Sequence, residues 1–282
     1  MAIALAINVA LVVAGIAGTV VFHSVALLAD AGHILSDVGA IALAMFATSM
    51  AARPAKGRRT FGFYRTEILA ALANGVVLVV VAVVVFIEAV MRLGTPSDVH
   101  GLGVLVIGLV GLVGNVAATV ALAGGDRKDI NLEAVLRHSA ADALGSLGVV
   151  ISGALVLAFG WDRADPIAGL VIGVLILLGS WRLITEPLDV LMEAAPAGLD
   201  VQAVGRAMAG VDGVREVHDL HVWTVTSGFP ALAAHVRTDP AHDADQVRHE
   251  LEHVLDERFG IEHTTLQVMV EQLLELEDRR GQ

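Results

Sequence analysis

The chain has 282 residues, of which 56% are hydrophobic, and it contains no cysteine. Its mean hydropathy of +0.73 is typical of a membrane protein. Without cysteine it can form neither disulfide bonds nor thiolate zinc sites, so any metal site must use histidine, carboxylate, backbone or water ligands. The formal charge of −12 arises after residue 185, because residues 186–282 hold 19 acidic and 7 basic residues. Such a region has no basic patch for nucleic acid, and its field attracts cations.

The first part of the chain is a series of apolar segments. Residues 2–22 carry no charge and are long enough to cross about 30 Å of hydrocarbon. They lack a basic leading segment and are longer than the apolar part of a signal peptide, so they are interpreted as a first membrane helix rather than a cleaved leader. Five further membrane helices are predicted at 25–50, 68–92, 101–123, 133–159 and 165–185.

Basic residues between these segments predict the topology. The linker after the second helix contains Arg53, Lys56, Arg58, Arg59 and Arg65, and the positive-inside rule places such a linker in the cytoplasm. A second inside loop is predicted at 124–133 and has no histidine-rich tract that could store metal. Six spans with this orientation leave both termini in the cytoplasm.

Two pairs of polar residues stand inside the predicted membrane helices. His33 and Asp37 are four residues apart, and His138 and Asp142 repeat this spacing in the fifth helix. Four residues make about one helical turn, so each pair lies on one helix face and can bind one ion. A lone helical histidine is more often a packing residue, but two such pairs at membrane depth favour a metal pathway. Two nitrogen and two oxygen ligands suit zinc better than calcium or magnesium, which prefer oxygen alone.

The chain after Pro187 has the pattern of a small soluble domain. A helix is predicted at 200–210 with Asp200 as its N-cap, strands at 214–226 and 231–238 around a Ser227-Gly228 turn, a helix at 243–259 and a strand at 262–271. The order α-β-β-α-β predicts a two-layer α+β sandwich of ferredoxin-like type. The predicted domains are therefore a membrane domain at 1–187, a cytosolic domain at 188–272 and a polar tail at 273–282.

The motifs, taken in order, resemble those of the cation diffusion facilitator family. They are SVALLADAGHILSDVGA, RRTFGFYRTEILAALANG, HSAADALGS, DPIAGLVIGVLIL, VHDLHVW and ALAAHV, and together they cover nearly the whole chain. The resemblance implies a homodimer with six transmembrane helices and a metallochaperone-like cytosolic domain. It implies export of divalent metal, zinc first and cadmium second, in exchange for protons, with no tightly bound cofactor and no nucleic-acid partner.

Carried over position by position, the resemblance assigns roles to particular residues. The transport site looks like His33, Asp37, His138 and Asp142. The cytosolic metal site, where zinc would act as a regulator, looks like His218, His235 and His263. A structural charge pair that holds the membrane and cytosolic domains together in the dimer maps onto Arg65 and Glu193.

The sequence also departs from the family. Arg59 and Phe63 stand where some members have histidines of a further zinc site, so no site is expected there. Met269 replaces an acidic residue that often follows the last histidine of the cytosolic site. His221, His249 and His253 are additional candidates that are better interpreted as surface residues. The cytosolic histidines could also all be surface residues of a domain that only dimerises.

Three classes of function could use the membrane cluster. The ligands bind a cation only when they are deprotonated, so metal and protons compete for one site, which suits an antiporter. An intramembrane metalloenzyme would keep an open coordination position beside a general base, and the chain has no HExxH motif. A sensor with a membrane anchor would not need ligands buried in two helices. The sequence therefore favours a proton-coupled transporter.

Overall fold

The computed structural model describes residues 2–95, 98–123 and 132–270, and it describes side chains at residues 8–95, 98–117, 120 and 141–270. The predicted polar tail and most of the predicted inside loop at 124–133 lie outside these residues. The described chain forms two compact units. The first comprises residues 1–52 and 69–185, and the second comprises residues 53–68 and 186–282.

Six long helices precede the small domain in the described part of the chain, as the sequence predicts. They are α1 (Ala2–Phe22), α2 (Val25–Ala51), α3 (Arg65–Gly94), α4 (Gly101–Ala123), α5 (Leu132–Phe159) and α6 (Ala164–Leu191). The described parts of α2, α3, α5 and α6 are long and apolar enough to cross a membrane. The described apolar stretches of α1 and α4, Asn8–Phe22 and Gly101–Ala117, are shorter. The α-helical membrane domain is therefore confirmed.

Helix α6 is longer than the sequence predicts, because it continues through Pro187 to Leu191 instead of ending near residue 185. Proline has no N–H, so Pro187 cannot donate the helical hydrogen bond to the carbonyl oxygen of Leu183. That oxygen faces α3 at Gly75, where an added Cβ would lie 2.8 Å away from it. Since Gly75 has no side chain, α3 can approach α6 at this turn.

Close approach of backbones also holds α4 against α5. A Cβ on Gly101 would lie 2.7 Å from the amide nitrogen of Leu157, and one on Gly153 would lie 2.5 Å from that of Leu105. Small residues allow such contacts, which drive helix association where lipid supplies no hydrophobic force. Large apolar side chains such as Val20, Val113 and Leu178 remain exposed. The outer surface of the first unit is thus suited to lipid.

The N-terminus of α2 is capped by two side chains. The Ser24 hydroxyl accepts the backbone N–H of Leu27 at 3.0 Å and donates to Asp165 Oδ1 at 2.5 Å. The N–H of Val25 donates to Asp165 Oδ2 at 2.6 Å. Asp165 belongs to α6 and is fully buried. Its carboxylate satisfies donors that a helix N-terminus leaves free, so α6 fixes the start of the helix that carries His33 and Asp37.

The second unit is the small α+β domain that the sequence predicts. Its elements are α7 (Val201–Ala209), β1 (Val214–Thr226), β2 (Phe229–Thr238), α8 (Ala244–Phe259) and β3 (His263–Val270). The sheet order is β1-β2-β3, with β1 and β2 antiparallel and β2 and β3 parallel. Apolar residues of both helices, among them Met208, Leu251 and Leu255, bury one face of the sheet. The two-layer ferredoxin-like architecture is confirmed.

The helix ends of this domain follow local sequence signals. Asp200 caps α7 through the N–H of Gln202, and Asp243 caps α8 through the N–H groups of Asp245 and Gln246. Helix α8 ends at Gly260, whose φ of 65° lies in the left-handed region that glycine adopts without strain.

We expect Asp165→Ala to destabilise the protein by about 2 kcal/mol or more, because the Ser24 hydroxyl and the Val25 N–H lose a buried acceptor. Asp165→Asn should cost less, since its amide oxygen still accepts one of the two bonds. Thermal unfolding of the purified protein in detergent would measure both. Asp162→Ala, three residues before Asp165 and outside α6, is the control. Equal shifts for Asp162→Ala and Asp165→Ala would contradict the capping role.

Candidate metal centre

The structure brings together three of the four residues that the sequence singles out in the membrane helices. His33 and Asp37 lie one turn apart on α2, and Asp142 faces them from α5. His33 Nε2 lies 3.0 Å from Asp142 Oδ1 and 3.9 Å from Asp37 Oδ2. One ligand atom from each residue lies within 4.8 Å of the other two. A cation between the helices could therefore contact one imidazole nitrogen and two carboxylate oxygens.

The three side chains are largely withdrawn from solvent, with exposed fractions of 21% for His33, 17% for Asp37 and 16% for Asp142. Charged groups at membrane depth are costly unless they pair or bind an ion. When no cation is present, the contact between His33 and Asp142 pairs two of these polar groups and so lowers the cost of burying them. A divalent cation would replace it with stronger contacts to both carboxylates.

The same hydrogen bond links metal binding to protons. His33 Nε2 and Asp142 Oδ1 lie 3.0 Å apart, and when Asp142 is ionised Nε2 must carry the hydrogen between them, because an ionised carboxylate only accepts hydrogen bonds. A metal ion that binds Nε2 must displace this hydrogen. Cation binding at this centre therefore rearranges or releases a proton.

His138, the fourth predicted ligand, belongs to α5, and its side chain lies outside the described residues. Its backbone position is one helical turn before Asp142, as the four-residue spacing requires. Its part in the centre remains a prediction.

A second cluster occurs in the small domain. His218 on β1 and His235 on β2 are direct cross-strand partners, with ring centroids 5.3 Å apart. Asp219 joins them, since its Oδ2 lies 3.6 Å from His235 Nδ1, and the three residues offer ligand atoms within 4.8 Å of one another. Nδ1 of His218 is buried without a hydrogen-bond partner among the described residues. An unsatisfied imidazole nitrogen beside a carboxylate suits a metal ligand.

Sequence reasoning missed Asp219, because strand alternation places it on the face opposite His218. The structure has an irregularity in β1 between His218 and His221, and Asp219 there adopts a left-handed φ of 49°. This bulge turns the carboxylate toward His235. The adjacent His-Asp pair was the only sequence signal for it.

The structure does not bring His263 into this cluster. His263 begins β3 opposite Ala231, whereas His235 lies opposite Gln267, four residues and about 13 Å further along the strand. The ring of His263 instead contacts Phe61 and Phe229, at centroid distances of 5.8 and 5.4 Å. Register thus separates His263 from the other two histidines.

The remaining candidate positions of the small domain lie at its surface. Met269 pairs with Arg237 and is 39% exposed. His221, His249 and His253 are exposed, and no metal-ligand cluster among the described residues includes them.

Two contacts at the start of α3 and just before it concern sequence predictions. The Arg59 guanidinium lies 4.4 Å from the centre of the Phe63 ring, at the positions where no metal site was expected. Arg65 Nη2 lies 3.3 Å from Glu193 Oε1, with side chains 40% and 66% exposed. This is a surface ion pair within one chain. Its part in holding a dimer together remains a prediction.

Comparison with known proteins places these sites in a family. The family model described as the cation efflux transmembrane domain matches residues 1–192. The model described as the cytoplasmic domain of the cation efflux protein matches residues 196–269.

Relatives match most of the chain. The cadmium, cobalt and zinc/H(+)-K(+) antiporter of Bacillus subtilis is 36% identical over 254 residues, which cover 88% of this chain and 81% of the relative. The metal cation efflux system protein CzcD of Cupriavidus metallidurans is 38% identical over 267 residues, covering 94% and 84%. The zinc transporter ZitB of Escherichia coli is 37% identical over 247 residues, covering 87% and 79%.

One solved structure, the metal-bound C-terminal domain of the CzcD transporter from the same Cupriavidus species, aligns with 36% identity and a TM-score of 0.25, covering 25% of this chain and 99% of that chain. The family matches extend over both the membrane helices and the small domain. The chain therefore belongs to the cation efflux family, also called the cation diffusion facilitators, and is a multi-pass membrane transporter with a cytoplasmic C-terminal domain.

Proposed function

We propose that this protein exports zinc from the cytoplasm in exchange for protons, with cadmium as a second substrate. The transported ion binds His33, Asp37, His138 and Asp142 between α2 and α5. The observation that supports this assignment most strongly is the contact of His33 with Asp142 across two membrane helices, beside Asp37. Relatives that are named as zinc, cadmium and cobalt transporters support the ion class.

The donor set supports zinc as the substrate. Imidazole nitrogen is a good ligand for zinc and cadmium, whereas magnesium and calcium prefer oxygen. Two carboxylates balance the charge of a divalent ion, so a bound ion leaves the centre close to neutral. A monovalent ion or a harder divalent ion gains less from the two histidines.

Exchange with protons follows from the same ligands. A proton on Nε2 of His33 and a metal ion at that nitrogen exclude each other. If the helices open the centre first to the cytoplasm and then to the other side, protons that enter from outside release the ion there. Since α2 and α5 each supply ligands, rocking of these helices against their neighbours is the proposed gate.

The cytoplasmic domain is proposed to bind a regulatory zinc ion at His218, Asp219 and His235. Support comes from the buried, unsatisfied Nδ1 of His218 and from the acidic charge of the domain. That charge opposes the approach of two such domains in the proposed homodimer. Bound zinc would reduce this repulsion and favour the closed dimer.

The first prediction concerns Asp142. Asp142→Ala removes a charged ligand and leaves an incomplete shell. Zinc uptake into proteoliposomes should then fall to the level of protein-free vesicles, with simultaneous loss of zinc-dependent proton flux. Asp98→Ala, which removes an exposed carboxylate outside the helices, is the control and should transport normally. Zinc uptake by Asp142→Ala at the rate of Asp98→Ala would refute the assignment.

The second prediction concerns the cytoplasmic cluster. The variant is made in the full chain carrying Asp142→Ala, so that the membrane site does not contribute to the titration. Removal of a residue that only orients a metal ligand already weakens metal binding about tenfold or more, so removal of the proposed ligand in His235→Ala should weaken the remaining zinc binding by at least about tenfold. Isothermal titration measures this affinity. His221→Ala, on an exposed position of β1, is the matched control. Indistinguishable titrations of the two variants would exclude a site at His235.

The third prediction concerns Arg65 and Glu193. Exposed ion pairs contribute about 1 kcal/mol or less, so Glu193→Arg should reduce the transport rate by at most about fivefold. Reversal of both charges should recover part of the loss, which a double-mutant cycle would reveal. The pair of Arg248 and Glu252, one turn apart on α8, serves as the control. Absence of any recovery means that the pairing does not matter for transport.

A further inference from the structure

Asp30 is a buried carboxylic acid that the proposed ion site does not use. It lies on α2 three residues before His33 and is 7% exposed. Its recorded hydrogen-bond partner among the described residues is a neutral hydroxyl, Ser146 Oγ, at 3.4 Å from Oδ1. An ionised carboxylate at membrane depth is costly and usually has a functional role. A residue kept at such a cost is expected to have a function.

The surroundings of Asp30 fix which of its oxygens can carry a proton. Asn115 on α4 donates from Nδ2 to Ser146 Oγ at 3.0 Å, so the Ser146 hydroxyl directs its own hydrogen toward Asp30 Oδ1. Oδ1 thus faces the Ser146 hydroxyl, which leaves Oδ2 as the oxygen better placed to hold a proton.

Two glycines make room for this carboxylate. A Cβ on Gly145 of α5 would lie 3.3 Å from Oδ1 of Asp30, and one on Gly111 of α4 would lie 3.6 Å from Oδ2. Three helices therefore close on Asp30 without a side chain from either glycine between them.

Asp30 lies on the outer side of the candidate ligands. Helix α2 ends at Ala51, before the basic linker that the sequence places in the cytoplasm, so Asp30 is about one turn further from the cytoplasm than His33. Helix α5 runs in the opposite direction, and Ser146 is one turn beyond Asp142 in the same outward sense. Asp30 and Ser146 therefore form a polar pair on the outer side of the candidate ligands.

We propose that Asp30 relays protons from the outer side to the zinc ligands. The inference rests on the proposed zinc/proton exchange. As the ion leaves, the Oδ2–H bond of Asp30 breaks and the proton passes to a freed ligand, such as His33 Nε2. The resulting Asp30 carboxylate takes a proton from water on the outer side. Each cycle moves a proton inward and leaves Asp30 as it began.

The helices around Asp30 carry other titratable residues. On α2 they are His33 and Asp37, and on α5 they are Asp142 and, with side chains outside the described residues, Glu133, Arg137 and His138. Helices α1 and α4 contain no titratable side chain in their sequences. Helix α3 has charged residues only near its ends, and Asp165 of α6 is engaged by Ser24. Among the described side chains of α2, α4 and α5, Asp30 is therefore the acid outside the proposed ligand set.

The test uses Asp30→Asn, which keeps an oxygen that can accept from Ser146 but cannot exchange a proton. The full-length protein is reconstituted in liposomes, and zinc transport is measured at several pH values on the proton-supplying side. Zinc affinity is measured by titration of the same protein in detergent. We expect affinity within about twofold of the wild type, a maximal rate lowered at least about tenfold, and loss of the dependence on outer pH.

Two further variants separate the relay from a structural role. Asp30→Glu keeps a carboxylic acid and should recover part of the rate and of the pH dependence. Ser146→Ala should slow exchange less than Asp30→Asn does. Ser152→Ala removes another buried serine of α5 and should leave the pH dependence unchanged.

Three results would overturn the proposal. Wild-type rate and pH dependence in Asp30→Asn would make Asp30 a neutral buried group. Loss of zinc affinity in Asp30→Asn would make it a ligand or a folding residue. Failure of Asp30→Glu to recover more than Asp30→Asn would show that the acid is not needed. Failure of the proposed zinc/proton exchange would give different results: the wild type would exchange no protons, or Asp142→Ala would still transport zinc. These results distinguish failure of the exchange from failure of the relay alone.

Discussion

The architecture of the membrane unit depends on one contact, that of His33 with Asp142 between α2 and α5. Neither side chain could face lipid without a large penalty, so the two helices must meet at this level. The hydrogen bond satisfies the polar groups while no ion is bound, yet its energy is small enough for a cation to displace. A centre built of hydrocarbon side chains would join the helices more cheaply but could not exchange protons for metal.

Other polar contacts hold the helices that surround this centre. Ser36 of α2 donates to Asn74 of α3 at 3.0 Å, and Asn115 of α4 donates to Ser146 of α5 at the same distance. In lipid such hydrogen bonds and small-residue contacts replace the hydrophobic force that joins helices in water. Each bond is weak alone, so the polar contacts between these helices can be exchanged at a small cost in free energy. This property suits a protein whose ligands must face both sides of a membrane in turn.

The sequence predicted the membrane centre far better than the cytoplasmic cluster. A four-residue spacing fixes a helix face, so the sequence alone was enough to predict that His33 and Asp37 lie together on α2. In the sheet, neighbours depend on strand register, which a sequence does not display. His263 was expected beside His235, but register separates them, and the bulge at Asp219 brings in a carboxylate that alternation had assigned to the other face. Likewise, the sequence predicted that α6 ends near residue 185, but the helix continues through Pro187. The packing of Gly75 against the Leu183 oxygen at this turn is a tertiary contact that the sequence does not display.

Asp219 differs from several other carboxylates of the acidic domain in the partner that it contacts. Several other carboxylates of the domain are paired with guanidinium groups: Asp239 contacts Arg215, and Glu252 accepts from Arg248 at 2.6 Å. The N–H of Ala241, followed by Arg215, lowers the pKa of Asp239, so that carboxylate stays ionised and engaged until the pH falls through its lowered pKa. Asp219 instead contacts a histidine, since its Oδ2 lies 3.6 Å from Nδ1 of His235. A left-handed backbone at a residue other than glycine carries strain, and Asp219 has this conformation. The conformation directs its carboxylate toward the imidazoles of His218 and His235, and binding of a cation to all three groups would offset the cost of the strain.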